Sequence, residues 1–368
     1  MTVIAHINRI GTANPPHAVH GAFVDFVSAS IPDARERRLF GRMVARSGIG
    51  QRYSYLEPVT LADGTISDAD GFYGIGEWPT TRARMARYQR DAPRLALAAV
   101  DALDPAIAKA GVTHLIVASC TGFMAPGLDQ VIIERAGLDP GAERTVVGFM
   151  GCYAAVNSLR LAHHIVRSTP AARVLVVTVE LCSLHFQRSD DLSKLLSMLL
   201  FGDGAAAALV TSEPGGIALE DFRAKSIGGT GDAITWDIGD QGFDMHLGGE
   251  VPARIADALQ VERNGGDPAG LLRGQAPGDF DLWAVHAGGR TILDAVEQGL
   301  GLDHRALSTS RAVLDSCGNM SSATLMFVLA RMLAEAAGGM AAKKGLALAF
   351  GPGLAAESFR FTLPGRDG

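Results

Sequence analysis

Short apolar runs of strand length alternate with segments of helical period along most of this 368-residue chain, and the alternation comes round twice. The first round carries THLIVAS, TVVGFM, RVLVVTV and AAAALV, and the second DLWAVH, RAVLDS, GLALAF and ESFRFTL. Such an alternation of strands and helices is an α/β pattern. The two rounds also echo each other. THLIVASCTG with its following helix (129–136) resembles DLWAVHAGG with its helix (291–300), and GFMGCYAAVNSLRLAHHIV resembles DSCGNMSSATLMFVLARML. Setting Ser119 opposite His286 and Cys152 opposite Asn319 gives the same separation in each half, 33 residues. Two pseudo-duplicated halves are expected, residues 1–212 with Cys152 and 213–368 with His286 and Asn319. If they pack about a pseudo-twofold axis, those three side chains converge on one centre. The stretches 211–275 and 60–78 read as connections and pocket wall.

Cys152 lies where a strand (145–150) is expected to turn at Gly151 into a helix running to about Val166. Unpaired N–H groups and the positive dipole end at a helix start favour thiolate, which is expected to lower the Cys152 pKa from ~8.5. A cysteine nucleophile needs a neighbour to take its proton, and acyl transfer needs donors facing the developing oxyanion. His286 ends the strand LWAVH and is placed for both tasks, while Asn319 offers amide N–H groups that never ionise. Together they suit polarising a thioester carbonyl and holding the enolate left when a malonyl group loses carbon dioxide.

Bulk composition narrows the partners. Hydrophobic residues make up 48% and charged residues 20% of the chain, with a formal net charge of -6 and no Lys/Arg-rich run, so a nucleic-acid footprint is not supported. No apolar run reaches the ~18 to 20 residues of a membrane span, and the start MTVIAHINRIGTANPPH lacks the features of a signal peptide, so a cytoplasmic enzyme acting on a small molecule is expected. Cys120, Cys152, Cys182 and Cys317 show no CxxC or Cys/His metal spacing and are expected as reduced thiols, with no metal site. GxSxG, HExxH and GxxxxGK[ST] are absent, which leaves cysteine chemistry.

MGCYAAVNSLRLA, VHAGGRTILDAVEQGL, CGNMSSATLMFVL and FGPGLAAESF resemble the signature segments of the type III polyketide synthases, the chalcone synthase family of the thiolase-like superfamily. IGTANPP, QRYSYL and LLFGDGAAAALV extend the resemblance over essentially the full length, and SCTGFM and ELCSLHFQ look more like bacterial members. The resemblance implies a five-layered αβαβα thiolase-like fold, a homodimer, and Cys152, His286 and Asn319 as catalytic triad. Acyl-CoA and malonyl-CoA are implied as substrates, with no metal or redox cofactor. Cys152 takes the starter acyl group, malonyl-CoA decarboxylates against His286 and Asn319, and the extended chain cyclises in the same cavity.

By the same resemblance Phe201 matches a gatekeeper phenylalanine and Met245 the second aromatic gate, where a flexible thioether leaves a softer passage. Cys120, Thr121, Ala125, Cys182, His185 and Ser321 match pocket positions, with Ala125 standing where plant enzymes carry a methionine at a dimer-facing wall. Arg38, Arg42 and Arg46 recur every four residues and so share a helix face. The segment resembles the family's CoA-binding helix, with Arg42 and Arg46 matching best and Arg38 inferred from spacing. GCYAAVN resembles synthases that take fatty acyl starters, which points to an alkylpyrone or alkylresorcinol product. His185 on the pocket wall instead suits a polar starter, as in synthases using malonyl-CoA alone to make a hydroxylated aromatic. The other readings are a single condensation like that of β-ketoacyl synthase III or HMG-CoA synthase, and a catalytically silent homologue.

Overall fold

The structure is a computed structural model of the chain and describes residues 3–74, 78–104, 111–189, 191–336 and 341–365. Its first half runs β1 (Ala5–Ala13), β2 (His17–Ala18), α1 (His20–Ser30), α2 (Ala34–Arg46), β3 (Tyr53–Ser54), β4 (Pro58–Thr60), β5 (Ile66–Asp68), α3 (Thr81–Asp101), β6 (His114–Ser119), α4 (Leu128–Ala136), β7 (Glu143–Gly148), α5 (Ala154–Ser168), β8 (Val174–Leu181), α6 (Leu192–Leu200) and β9 (Asp203–Thr211). The second half runs β10 (Ile217–Ser226), β11 (Ile234–Gly239), β12 (Gly242–Leu247), α7 (Val251–Gly265), β13 (Leu282–Val285), α8 (Arg290–Leu300), α9 (Ser308–Cys317), α10 (Ala323–Ala336), β14 (Lys343–Gly351) and β15 (Ala355–Leu363).

Nine strands form one sheet in the order β13-β14-β15-β10-β1-β9-β8-β6-β7. The sheet displays the duplication directly. β6 is parallel to β8, β8 antiparallel to β9, and β9 antiparallel to β1; β13, β14, β15 and β10 repeat those relations in the same order. The halves meet where β1 and β10 pair antiparallel through Ala5↔Leu219, His6↔Ala218 and Ile7↔Ile217.

Strand side chains alternate between faces, and both faces are covered, which explains the continuous apolar runs. Leu115, Val117, Leu175 and Val177 pack with α3 and α4 through Leu95, Ala96, Leu128 and Ile132. Their neighbours Ile116, Val174 and Val176 turn the other way, into a central cluster with Val156 and Leu159 of α5 and Leu325 and Met326 of α10. Ala284, Ala347 and Ala349 of the second half enter that same cluster. Trp283, Val285, Leu346 and Leu348 face outward onto α7, α8 and α9. Helices, strands, shared helices, strands and helices make the five layers of a thiolase-like fold.

Three local expectations change. RAVLDS is not a strand but lies in α9, because Leu307, Ser310, Val313, Leu314 and Cys317 are buried at helical spacing. The strand before Cys152 runs over Glu143–Gly148 and is mostly exposed, since it is the edge of the sheet with β6 as its one neighbour and Val146 is 57% exposed. The stretch 211–275 holds β10, α7 and a hairpin of β11 and β12, whose alternating ITWDIG and GFDMHL pair across a two-residue turn. Within 60–78, β5 pairs with β4, and residues 75–77 lie outside the described residues.

Candidate active site

Gly151 has φ +73, and a Cβ there would lie 2.6 Å from Cδ of Pro352, so no other residue fits without displacing the second half of the chain. The backbone makes one 3₁₀ turn over Gly151–Tyr153 and continues as α5, so Cys152 sits at the threshold of the helix rather than inside it. At the equivalent place in the second half α9 ends, Asn319 follows, and Ser321 takes a left-handed φ of 47 just before α10. A serine held in that conformation costs free energy that the surrounding structure must supply.

A chain of contacts links the two halves here. The Cys152 sulfur lies 3.8 Å from Oγ of Ser321. The Ser321 N–H donates to Oδ1 of Asn319 at 2.8 Å, and Nδ2 of Asn319 donates to the Gly288 carbonyl at 3.1 Å. The Gly288 N–H in turn donates to the His286 carbonyl at 2.9 Å. His286 follows β13 directly and is buried, yet neither ring nitrogen has a hydrogen-bond partner among the described residues. A buried polar atom left unpaired costs ~1 to 3 kcal/mol.

Electrostatics differ from the expected lowering of the Cys152 pKa. Burial pushes the thiol up to about 11, against hydrogen bonding to Ser321 and Asn319 that pulls it down. Burial pushes His286 down to about 3. A lone thiolate or a lone imidazolium is therefore penalised at this site. A thiolate–imidazolium pair, in which each charge compensates the other, is not penalised in the same way.

Cys152 opens on a cavity of about 1380 Å³ when the open solvent at its mouth is counted. Cys120, Thr121, Cys182, His185, Phe201, Met245 and Ser321 all line it. His286 and Asn319 stand behind this lining, with Asn319 bridged by backbone to Phe201. Ala125 does not line the cavity within one chain and is exposed beyond β6. Arg38, Arg42 and Arg46 are exposed on α2 and make no ion pair among the described residues. The Arg46 carbonyl accepts from Arg290 at the start of α8, which ties α2 to the segment following His286.

His185 is locked. Its Nε2 lies 2.7 Å from the Thr121 carbonyl and its Nδ1 accepts from the Phe243 N–H at 3.0 Å, so both ring nitrogens are committed. The ring stacks on Phe243 at 4.2 Å and meets Trp236 edge-on, and burial pushes its pKa down to about 3. Trp236 and Phe243, on the β11–β12 hairpin, escaped the sequence reading; the strict alternation of that hairpin was the available signal. Glu180 escaped it too, as the one acidic residue of VLVVTVEL. It accepts from the Cys120 N–H, Thr121 and Ser322, which pins the strand ends around the thiol, and burial raises its pKa against those bonds.

Fold and site together define a thiolase-like acyltransferase. Residues 2–214 match the family model "Chalcone and stilbene synthases, N-terminal domain", and residues 220–362 match the corresponding C-terminal domain. The chain is 32% identical to the alpha-pyrone synthesis polyketide synthase-like Pks18 of Mycobacterium tuberculosis, over 98% of this chain and 92% of that one. It is 34% identical to bisdemethoxycurcumin synthase of Oryza sativa, over 96% and 91%. Among solved structures, 1,3,6,8-tetrahydroxynaphthalene synthase of Streptomyces coelicolor superposes with a TM-score of 0.83 at 28% identity, covering 98% of this chain and 99% of that one. PKS-I of the brown alga Ectocarpus siliculosus gives 0.83 at 29%, covering 99% of each. The chain belongs to the chalcone and stilbene synthase family, the type III polyketide synthases, acyltransferases that act by decarboxylative condensation. Among the described residues no helix is long and apolar enough to cross a membrane.

Proposed function

We propose that this synthase loads a fatty acyl group from an acyl-CoA onto Cys152, extends it with malonyl-CoA and cyclises the product to an alkylpyrone or alkylresorcinol. In the loading step the Cys152 sulfur forms a new thioester as the acyl–sulfur bond of CoA breaks. The thiol proton passes through His286 to the departing CoA sulfur. Malonyl-CoA then loses carbon dioxide, and the electron pair of the broken C–C bond forms an enolate whose oxygen meets His286 and Asn319. The enolate carbon attacks the Cys152 thioester and the cysteine sulfur leaves, so the extended chain is now a CoA thioester; its transfer back to Cys152, with CoA released, starts the next round. Arg38, Arg42 and Arg46 hold the CoA phosphates, for which planar guanidinium groups are suited.

The observation that carries this reading is the placement of the Cys152 sulfur on a mainly apolar cavity. The locked His185 adds to it, because no ring N–H remains to recognise a polar starter. Pks18, an alpha-pyrone synthase by name, is a relative over nearly the whole chain. The exposed Phe123, Val146 and Met150 around the β7 edge support a homodimer joined there.

The test is incubation with malonyl-CoA alone and then with a ladder of acyl-CoA starters, reading product masses. Alkyl products carrying more than one malonyl-derived unit are expected. A main product from malonyl-CoA alone, or a single condensation from every starter, overturns the proposal.

A further inference from the structure

Arg52, in the segment QRYSYL, is a buried cation that the chemistry above does not use. It makes no ion pair among the described residues and reaches for backbone instead. Its Nη1 donates to the Phe201 carbonyl at 2.7 Å and to the Met198 carbonyl at 3.1 Å, and its Nε donates to Nδ1 of His20 at 3.0 Å. The guanidinium carbon stands 4.4 Å from the centre of the Phe23 ring. Burial pushes the Arg52 pKa down to about 9, against the attraction of Asp203, so the group stays charged at neutral pH. Burial, aided by Arg52, pushes His20 down to about 4, which keeps its Nδ1 an acceptor. A charge taken out of water is costly, so an arginine here needs a task that an apolar side chain of equal length does not perform.

That task is visible at the end of α6. The Met198 and Phe201 carbonyls lie at the C-terminal, negative end of the helix, where backbone acceptors lack partners within the helix and a cation is favoured. The residues flanking Phe201 hold Asn319 by its backbone. The Asn319 N–H donates to the Leu200 carbonyl at 2.8 Å, and the Gly202 N–H donates to the Asn319 carbonyl at 3.0 Å. The arginine stem packs on the same chain segments. A Cβ on Gly318 would lie 2.8 Å from Cγ of Arg52, and one on Gly202 would lie 3.2 Å from its Cβ. Arg52 is itself anchored, since the Val19 N–H donates to its carbonyl at 2.8 Å and its own N–H donates to Oε1 of Gln51 at 2.9 Å.

We infer that Arg52 is a positioning residue for Asn319: by clamping the end of α6 it fixes Leu200–Gly202, and through them the Asn319 amide. The inference rests on the proposed meeting of the enolate oxygen with Asn319. Cys152 is placed by a different device, the turn at Gly151 packed against Pro352. Loss of Arg52 therefore separates two steps that damage to the whole site would impair together. Loading of Cys152 is preserved, and decarboxylation of malonyl-CoA slows.

The experiment uses Arg52→Met, which keeps a stem and loses every donor, and Arg52→Lys, which keeps the charge on one nitrogen without the fork. Decarboxylation is measured in a Cys152→Ala background as acetyl-CoA release, the enolate taking a proton from water. Loading is measured with Cys152 intact, as the rate of its acylation by an acyl-CoA, followed by mass spectrometry. In Arg52→Met, kcat for decarboxylation is expected to fall about tenfold or more, as a small misplacement of a reacting group does. Loading rate and the KM for malonyl-CoA are expected to stay near wild type, and Arg52→Lys to show the same split with a smaller fall. Asn319→Ala in the same background is the reference. If it loses decarboxylation while the folded Arg52 variants keep wild-type kcat, the positioning role alone is overturned. Equal loss of loading and decarboxylation in the Arg52 variants overturns it as well. Wild-type decarboxylation by Asn319→Ala overturns the proposed role of Asn319 and this inference with it. If Arg52→Met does not fold by circular dichroism, Arg52→Lys decides among these outcomes.

Discussion

A thiol pushed up to about 11 and an imidazole pushed down to about 3 share this site, and each is a poor ion alone. We propose that the two act by being charged together, a pairing open to test. In His286→Ala the Cys152 thiolate loses its counter-charge while keeping its burial. Alkylation of Cys152 by iodoacetamide at pH 7 is expected to slow by more than tenfold. Its pH midpoint is expected to move upward toward about 11, since a raised thiol pKa empties the reactive form at neutral pH. An unchanged rate–pH curve contradicts the pairing. Sequence pointed to the meeting of the segments around Cys152, His286 and Asn319 because each stands at a strand end or helix start in an echoed segment. It left the thiol's electrostatics hidden, because burial comes from residues far away in the chain and opposes the helix-start effect that local sequence suggests.

Gly151 shows how an element's path fixes the site. Its φ of +73 and the contact a Cβ would make with Pro352 both exclude a side chain. Gly151→Ala is expected to cost at least ~1 to 2 kcal/mol from the left-handed backbone alone. A fall in Tm of several degrees by differential scanning calorimetry is expected. Because the same turn sets the sulfur, kcat measured well below Tm is also expected to drop by ~10²-fold, the usual penalty for a displacement of about 1 Å. Wild-type kcat in a folded Gly151→Ala protein contradicts this placement. Element type was readable wherever apolar period and length agreed, as in β6, β8, β13, β14 and β15. It failed at RAVLDS, whose short apolar core fits either period, and at TVVGFM, whose composition suits a buried strand although the fold puts it at an uncovered edge. The β11–β12 hairpin was hidden by the glycine and aspartate of its turn, which read as loop.

Duplication organises the whole molecule: two sets of strands with matching directions meet at β1 and β10, and α5 and α10 share the central layer. That symmetry brings two segments 167 residues apart, around Cys152 and Asn319, onto one serine, Ser321, whose hydroxyl lies by the Cys152 sulfur and whose N–H donates to Asn319. The matched spacing of 33 residues made this legible. The cavity was not, because its walls come from α1, β5, α6, β11 and β12, which neither echo each other nor carry a motif. The account's central claim is that the Cys152 sulfur carries the acyl group through every condensation. It is tested most directly by quenching turnover with acid and locating the thioester by peptide mass spectrometry. Acyl and extended acyl masses are predicted on the Cys152 peptide and are predicted to disappear in Cys152→Ala together with product. Acyl groups on another residue, or product formed by a folded Cys152→Ala protein, would contradict the account.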